Sequence, residues 1–339
     1  NMSHEIETMA WTGAKPWHGL GVEVAPDLTP VEMMKAADLD WKVSKRPSYT
    51  INEPEYRAGM NASNMIAVDG SYHLMRDTDN YHLSVCGDDY VPIQNEKVFE
   101  FFKKFTDAGH MTMDTAGSLK NGREIWGLAK IAQDFKLPGG DEVKGYLLIN
   151  QPHIAGKAMT IKFTPIRVVC NNTLTIALNQ GGAAFRMPHI RDFSADVQQA
   201  AEEALGLSKA RQDEFQEKAE FLSSKQFTGE TVMNYVAEVY QPQLLIDKAK
   251  AHADEDFIIQ DKFSKMAGMA FNAIDLSPGA TMKSAKGTWW GALNGITFVE
   301  DHHRKGSAEG NALHSAWFGD ASKRKAKALD KALEYAKAA

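Results

Sequence analysis

The first half of the chain alternates apolar and polar positions with the two-residue period of β-strands. Met159, Ile161 and Phe163 alternate with Thr160 and Lys162, which gives a strand one apolar and one polar face. Similar stretches recur between turn-forming residues throughout this half. We expect strands at residues 41–51, 64–76, 81–86, 111–119, 123–131, 143–150 and 157–169.

A hairpin turn and two helices complete the pattern in the first half. Asn121-Gly122 separates two apolar stretches and predicts a tight turn, because both residues accept positive φ. Pro30 follows Thr29 and favours the first turn of a short helix. Asn95 is suited to cap a second, amphipathic helix that contains several phenylalanines.

After Ser194 the pattern is helical almost throughout. We expect helices at residues 194–223, 228–239, 242–252, 256–274, 286–303 and 321–337. The sequence therefore predicts an α+β fold, in which a curved antiparallel sheet with packed helices precedes a mainly helical C-terminal half. We expect an irregular Trp- and Gly-rich segment at residues 1–22, an α+β sheet domain at 23–191 and a helical region at 192–339.

Composition limits the class of protein. The chain has 339 residues, of which 43% are hydrophobic, and this is enough for a large core in one domain or two. No apolar run reaches about 18 residues, so we expect no membrane span. The first residues do not resemble a secretory signal. Cys86 and Cys170 form neither a CxxC pair nor a metal-binding spacing with histidine, which favours the reducing cytoplasm.

The net charge of -6 hides an uneven distribution. Residues 120–191 carry an excess of basic side chains, whereas the flanking stretches are acidic, and Trp126, Tyr146 and Phe163 lie among the cations. Cations that follow a backbone, with aromatic faces for bases, are typical of single-strand binding. The alternative is that these cations pair with internal acids and that the aromatic residues belong to the core. The candidate nucleic-acid-binding residues are Lys120, Arg123, Lys144, Lys157, Lys162, Arg167, Arg186 and Arg191.

Arg167 raises the question most sharply, because it lies in one of the most apolar stretches of the chain. A buried guanidinium is costly unless it is paired and hydrogen-bonded. Its charge must be neutralised either by an internal carboxylate or by a ligand with negatively charged oxygens. The sequence leaves both possibilities open.

Motifs for bond-making chemistry are absent from the sequence. It has no nucleotide-binding glycine loop, no nucleophile elbow and no zinc-protease motif. His18 and the acidic clusters Asp88-Asp89 and Asp254-Glu255-Asp256 have chemistry compatible with metals, but such groups more often form turns, cap helices or face solvent. We therefore expect no cofactor, no metal and no catalytic residue.

Three segments together resemble a known family. They are SHEIETMAWTGAKPWHGLG at 3–21, TPIRVVCNNTL at 164–174 and GTWWGALNGITFVEDH at 287–302, and they are similar to the phage/plasmid-like family of unknown function 932. The resemblance implies a protein of a phage or plasmid in a bacterial cell. The order of elements also resembles ring-forming single-strand annealing proteins of the Rad-fifty-two type, although no local motif of that group is present. That second resemblance implies a homo-oligomer, as a ring or filament, with single-stranded DNA in a basic groove.

Three functions follow as hypotheses. The first is a single-stranded DNA-binding protein that anneals strands in recombination without bond chemistry. The second is a metal-dependent nuclease that uses the acidic clusters or His18. The third is an interaction protein that blocks a host factor through the Trp-rich N-terminal segment. The charge distribution favours the first.

Overall fold

The computed structural model describes residues 6–13, 20–51, 65–107, 111–167, 172–173, 184–187, 189, 197–240, 264–303, 312–317 and 319–339. It confirms an α+β fold with helices concentrated in the C-terminal half. The expected helix at 242–252, the first part of that at 256–274 and candidate residues Arg191, His18 and Asp254-Glu255-Asp256 lie outside the described residues.

A large sheet contains the strands that matter for the candidate site. Its order is β10-β9-β8-β7-β6-β1-β2, and β11 also pairs with β9. All these pairs are antiparallel except β1 with β2. The strands are β1 (Ile6–Trp11), β2 (Val22–Glu23), β6 (Met111–Leu119), β7 (Glu124–Leu137), β8 (Asp141–Pro152), β9 (Met159–Arg167), β10 (Asn172–Thr173) and β11 (Ala184–Met187).

The N-terminal segment differs from the expectation of an irregular structure. Residues Ile6–Trp11 form strand β1, which pairs with β6 through Met9↔Gly117 and Trp11↔Thr115. Gly117 permits this close approach, since a Cβ there would lie 2.5 Å from the Thr8 carbonyl oxygen. The Trp- and Gly-rich composition concealed a strand that buries Met9 and Trp11.

A second, three-stranded sheet has the order β3-β4-β5. It consists of β3 (Val43–Ile51), β4 (Met65–Arg76) and β5 (His82–Cys86). Arg76 joins it to the large sheet: its Nη1 lies 2.9 Å from Glu7 Oε1, and its Nη2 lies 2.7 Å from Asp79 Oδ2. The guanidinium also lies over the rings of Trp41 and Tyr81. These contacts raise the Arg76 pKa, with the Asp79 hydrogen bond as the largest cause.

Eight α-helices are present in the described part of the chain, of which six follow the sheets. They are α1 (Pro30–Ala36), α2 (Asn95–Asp107), α3 (Val197–Ser224), α4 (Gly229–Tyr240), α5 (Lys265–Leu276), α6 (Trp289–Phe298), α7 (Ala312–Trp317) and α8 (Asp320–Ala338). A π-helical turn, Val299–His303, continues α6. As the sequence predicts, α1 begins at Pro30, with Thr29 and Glu32 forming a capping box.

One face of the large sheet packs into the main core. Phe135 of β7 lies against Phe215 of α3, which in turn lies against Trp290 of α6, with ring centroids 6.2 and 6.1 Å apart. The same core includes Leu147 and Phe163. The proposed boundary at residues 191 and 192 lies outside the described residues, so the division into domains stays a prediction, although the core contacts cross it.

Candidate nucleic-acid interface

The opposite face of the large sheet carries lysines on three adjacent strands. Lys130 of β7 pairs with Tyr146 of β8, and Tyr146 pairs with Thr164 of β9. Lys144 and Lys162 share this face, because each lies two residues from Tyr146 or Thr164 along its strand. We call the face formed by Lys130, Lys144, Tyr146, Lys162 and Thr164 the lysine face.

The sequence predicted two of these lysines and missed one. Lys144 and Lys162 were candidates, whereas Lys130 was not. The alternation of β7 could have identified Lys130, because Trp126 and Leu128 precede it at intervals of two residues and therefore share its face of the strand. Both are buried in a second, smaller core on this side of the sheet.

Two carboxylates offset part of the positive charge of the lysine face. Lys130 Nζ lies 2.9 Å from Asp134 Oδ2. Burial raises the pKa of Asp114 to about 6, while the nearby charges of Lys144 and Lys130 act in the opposite direction. Lys144 makes no ion pair of its own within the described part of the chain. With a pKa of about 6, Asp114 is mostly ionised at neutral pH and offsets part of the lysine charge there.

Several buried polar atoms on this side of the sheet are unsatisfied. Thr164 Oγ1, Trp126 Nε1, Trp11 Nε1, Asn150 Oδ1 and Asp134 Oδ1 have no hydrogen-bond partner among the residues that the structure describes. Thr164 is fully buried and Trp126 is only 1% exposed. Buried polar groups are normally paired, so each such atom needs an explanation. Three of the five are donors, which suit an oxygen-rich ligand or ordered water.

The aromatic residues among the cations are buried. Trp126 packs edge-to-face against Trp317 of α7, with ring centroids 4.9 Å apart, and Phe163 lies in the main core. Tyr146 is 7% exposed. Burial raises the pKa of its phenol, and the charges of Asp114, Asp134 and Glu142 raise it further. These rings are therefore core residues, and the idea that they stack on bases is wrong.

Lys120 and Lys157 bind an internal carboxylate. Their Nζ atoms lie 3.0 and 2.8 Å from Oε1 of Glu124, whose side chain is fully buried. This is the alternative that the sequence left open, in which basic residues neutralise acids within the fold. The two lysines lie at the end of the sheet, and both form ion pairs with Glu124.

The hairpin tip contacts the small sheet, with Gly122 buried and Asn121 exposed. Asn121 and Gly122 have positive φ, as the turn prediction requires, with values of 55° and 79°. Asn121 Nδ2 donates to the Tyr81 hydroxyl at 3.1 Å. Arg123 closes the turn through a hydrogen bond from its backbone N–H to the Lys120 carbonyl oxygen. Its side-chain Nε is buried, and the described residues provide no partner for it.

The remaining arginines do not join one continuous line with the lysines. Residue 167 pairs with Val143, and strand alternation places it on the face opposite that of Lys162, five residues earlier. Residue 186 pairs with Thr160 of β9, so its position follows that of Lys162 along the lysine face. Of the eight candidates, positions 144, 162 and 186 share a face, while 120, 157 and 167 do not join them.

Two histidines beside the sheets, His153 and His189, are buried and neutral. Burial lowers the pKa of His153 to about 3 and that of His189 to about 4. His153 Nε2 lies 2.8 Å from Asn95 Oδ1, and His189 stacks on Tyr90. Across the described ranges, no three His, Cys, Asp or Glu side chains are grouped so that they could hold a metal ion. Asp88 lies beside Tyr72 and raises the pKa of its phenol through a hydrogen bond.

None of the helices within the described residues is long and apolar enough to cross a membrane.

Comparison with known proteins identifies the family. No curated protein matches the chain, and no solved structure matches it either. A family model described as "Domain of unknown function (DUF932)" matches residues 82–338, which include the lysine face and the helices that follow. The chain belongs to the DUF932 family.

Proposed function

We propose that the protein binds single-stranded DNA on the lysine face and promotes the annealing of complementary strands. The observation that carries this proposal is the placement of Lys130, Lys144 and Lys162 on one face of three adjacent strands. Neighbouring strands lie about 4.8 Å apart, and Lys144 and Lys162 are offset along the strands by four residues, about 13 Å. Together with Lys130 they form a patch long enough to contact several phosphates of an extended strand. Phosphate binding is independent of base sequence and leaves the bases available for pairing.

The unsatisfied donors support the same ligand. Thr164 Oγ1 lies between Lys144 and Lys162 in the register of the sheet and has no partner among the described residues. Phosphate oxygens accept hydrogen bonds from hydroxyl groups as well as from ammonium groups. Thr164 is fully buried, so a phosphate at the lysines would reach this hydroxyl through ordered water and not directly.

The order of elements is a further argument for annealing. Four consecutive antiparallel strands, β6 to β9, precede the 28-residue helix α3, which packs against β7 and β9. Such an order is what the proposed resemblance to Rad-fifty-two type proteins requires, and those proteins hold single strands along a groove of an oligomer. Annealing of this kind requires no bond chemistry and no cofactor. We place the activity in the cytoplasm of a bacterium that carries a phage or plasmid.

Fluorescence anisotropy of a labelled single-stranded oligonucleotide, measured across a range of salt concentrations, tests the binding. Each phosphate contact contributes about 0.7 to the slope of log affinity against log salt for single strands. We expect Lys144→Gln and Lys162→Gln each to weaken binding and to reduce that slope by about this amount. The matched control is Lys35→Gln, which neutralises an exposed lysine on α1 that is not part of the lysine face. Binding that is absent at low salt, or equal in all four proteins, would refute the proposal.

Annealing is tested separately with two complementary labelled strands. The protein should accelerate their pairing without nucleotide, and the Lys144→Gln/Lys162→Gln double variant should be slower. The same reactions with Mg²⁺ or Mn²⁺ should contain strands of unchanged length. Shortened products would instead favour the nuclease hypothesis.

A further inference from the structure

The beginning of β4 forms an open sheet edge. Residues 72–75 of β4 lie between β3 and β5. By contrast, residues 65–67 pair with residues 49–51 of β3, and within the described residues no strand covers their other side. An open strand offers a row of unpaired backbone N–H and C=O groups to another strand. We call residues 65–68 the open edge.

The side chains of the open edge are apolar and exposed. Met65, Ile66 and Val68 are 50%, 53% and 41% exposed, and Tyr49, opposite Ala67, is 57% exposed. Because consecutive side chains point to opposite faces of a strand, both faces of the sheet are open here. Edge strands of monomeric proteins are usually protected by charges, by proline or by a covering segment. Residues 65–68 contain neither charge nor proline.

We propose that the open edge pairs antiparallel with the open edge of a second copy of this chain. In such a pair the two-fold axis is perpendicular to the sheet, and the residue at the axis faces its own copy. With Ile66 at the axis, Met65 faces Ala67, and none of these three residues is charged. No two like charges meet. The register shift between β3 and β4, which follows residue 67 on β4, ends the regular stretch beyond this centre.

The chemistry of the edge favours an identical strand over a foreign peptide. Domains that bind peptides by strand addition select them with pockets for alternate side chains. The described residues around the open edge instead present exposed apolar side chains, and Asp69 is the only charged residue from 65 to 71. A second copy supplies a strand with the same neutral, apolar character. The paired stretch is short, so its buried area is below that of a standard interface and the dimer is weak.

Sedimentation velocity of the full chain, without nucleic acid, tests this pairing over a wide range of protein concentration. The wild type should shift from monomer to dimer as concentration rises. Ile66→Lys and Ile66→Glu should each remain monomeric, because two like charges would face each other at the axis. An equal mixture of the two variants should dimerise, since lysine then faces glutamate. Val22→Lys is the matched control: this valine is 62% exposed and lies on β2, so its dimer should resemble that of the wild type.

Each other outcome overturns the pairing. If the wild type stays monomeric at all concentrations, the proposed strand pairing is wrong. A dimer that survives Ile66→Lys uses another surface. Variants that are both monomeric and do not recover on mixing place Ile66 away from a two-fold axis. Far-UV circular dichroism of each variant verifies the fold, which substitutions at an exposed residue should preserve. Because no DNA is present, failure here is distinct from failure of the proposed function.

Discussion

At the scale of single residues, Glu124 shows why counts of basic residues overestimate the charge available to a ligand. Lys120 and Lys157 both bind this buried carboxylate, and Lys157 is 33 residues away in sequence. A buried carboxylate without such partners would be strongly destabilising. The sequence contains these three residues but does not show that they meet in space. Lys120 follows β6, Glu124 begins β7, and Lys157 lies in the connection between β8 and β9. Only the fold shows which cations are not used in this internal contact.

Asp114 gives a prediction with a defined pH dependence. Its pKa is raised from 3.8 to about 6 by burial, so between these values the folded state holds a proton that the unfolded state has lost. The free energy of unfolding of the wild type therefore falls as pH rises from about 4 to 6, and the penalty is complete above pH 6. Asp114→Asn removes the penalty. We expect this variant to be more stable than the wild type by about 3 kcal/mol at pH 7.

Urea unfolding of both proteins from pH 4 to pH 7 measures this difference. The difference in the free energy of unfolding should shrink as the pH falls towards 4 and vanish only below about pH 3, where the carboxyl group is protonated in both states. The charge argument also predicts that Asp114→Asn binds single-stranded DNA more tightly at pH 7, because Lys144 and Lys130 lose an opposing charge. A constant difference at every pH would contradict the buried-carboxyl explanation.

At the scale of elements, alternation and turn chemistry were sufficient to predict most described strands. Asn121-Gly122 has the positive φ values that its turn prediction required, and the apolar face of β9 packs into the core through Ile161 and Phe163. Alternation also contained an unused signal about Arg167. It lies an odd number of residues from Lys162, so the two cannot share a face of an uninterrupted strand. Strand order could not be predicted in this way, because it depends on long-range pairing.

Gly122 gives a prediction about how the hairpin tip docks on the small sheet. A Cβ at Gly122 would lie 2.8 Å from Nη1 of Arg76, which is held by Glu7 and Asp79. Gly122→Ala therefore adds a steric cost to the cost of positive φ. The control is Gly140→Ala, because Gly140 has the same φ of 79° and a Cβ added there would meet no described atom within 4 Å.

Thermal and urea unfolding of the two alanine variants separate these costs. Gly140→Ala should lose about 1 kcal/mol of stability from backbone strain alone. Gly122→Ala should lose about 1 to 3 kcal/mol more, because Arg76 cannot move aside without weakening its ion pairs. Equal losses would show that the tip tolerates displacement from Arg76.

At the scale of the whole molecule, composition and periodicity predicted the fold class, but not how the sheet and the helices meet. Leu147, Phe163, Phe215 and Trp290 belong to one core, although the sequence separates the first two from the last two by the proposed boundary. Buried residues of either half read alike as apolar, so a sequence pattern cannot tell two cores from one. The same limit applies to the lysine face, whose residues come from separate strands.

Asp141 provides the test of how closely the two halves are coupled. Its Oδ2 accepts hydrogen bonds from Ser284 Oγ at 2.6 Å and from Trp290 Nε1 at 3.0 Å, and all three groups are buried. Asp141→Ala leaves both donors without this acceptor, so we expect a loss of about 3 kcal/mol. Asp40→Ala, at an exposed position, should stay within about 0.5 kcal/mol of the wild type. Because one core spans sheet and helices, tryptophan fluorescence and far-UV circular dichroism should report the same transition in every variant. Two separate transitions would mean that the sheet domain and the helical region fold independently. If Asp141→Ala then shifted only one of the two transitions, the contact would not couple the two halves.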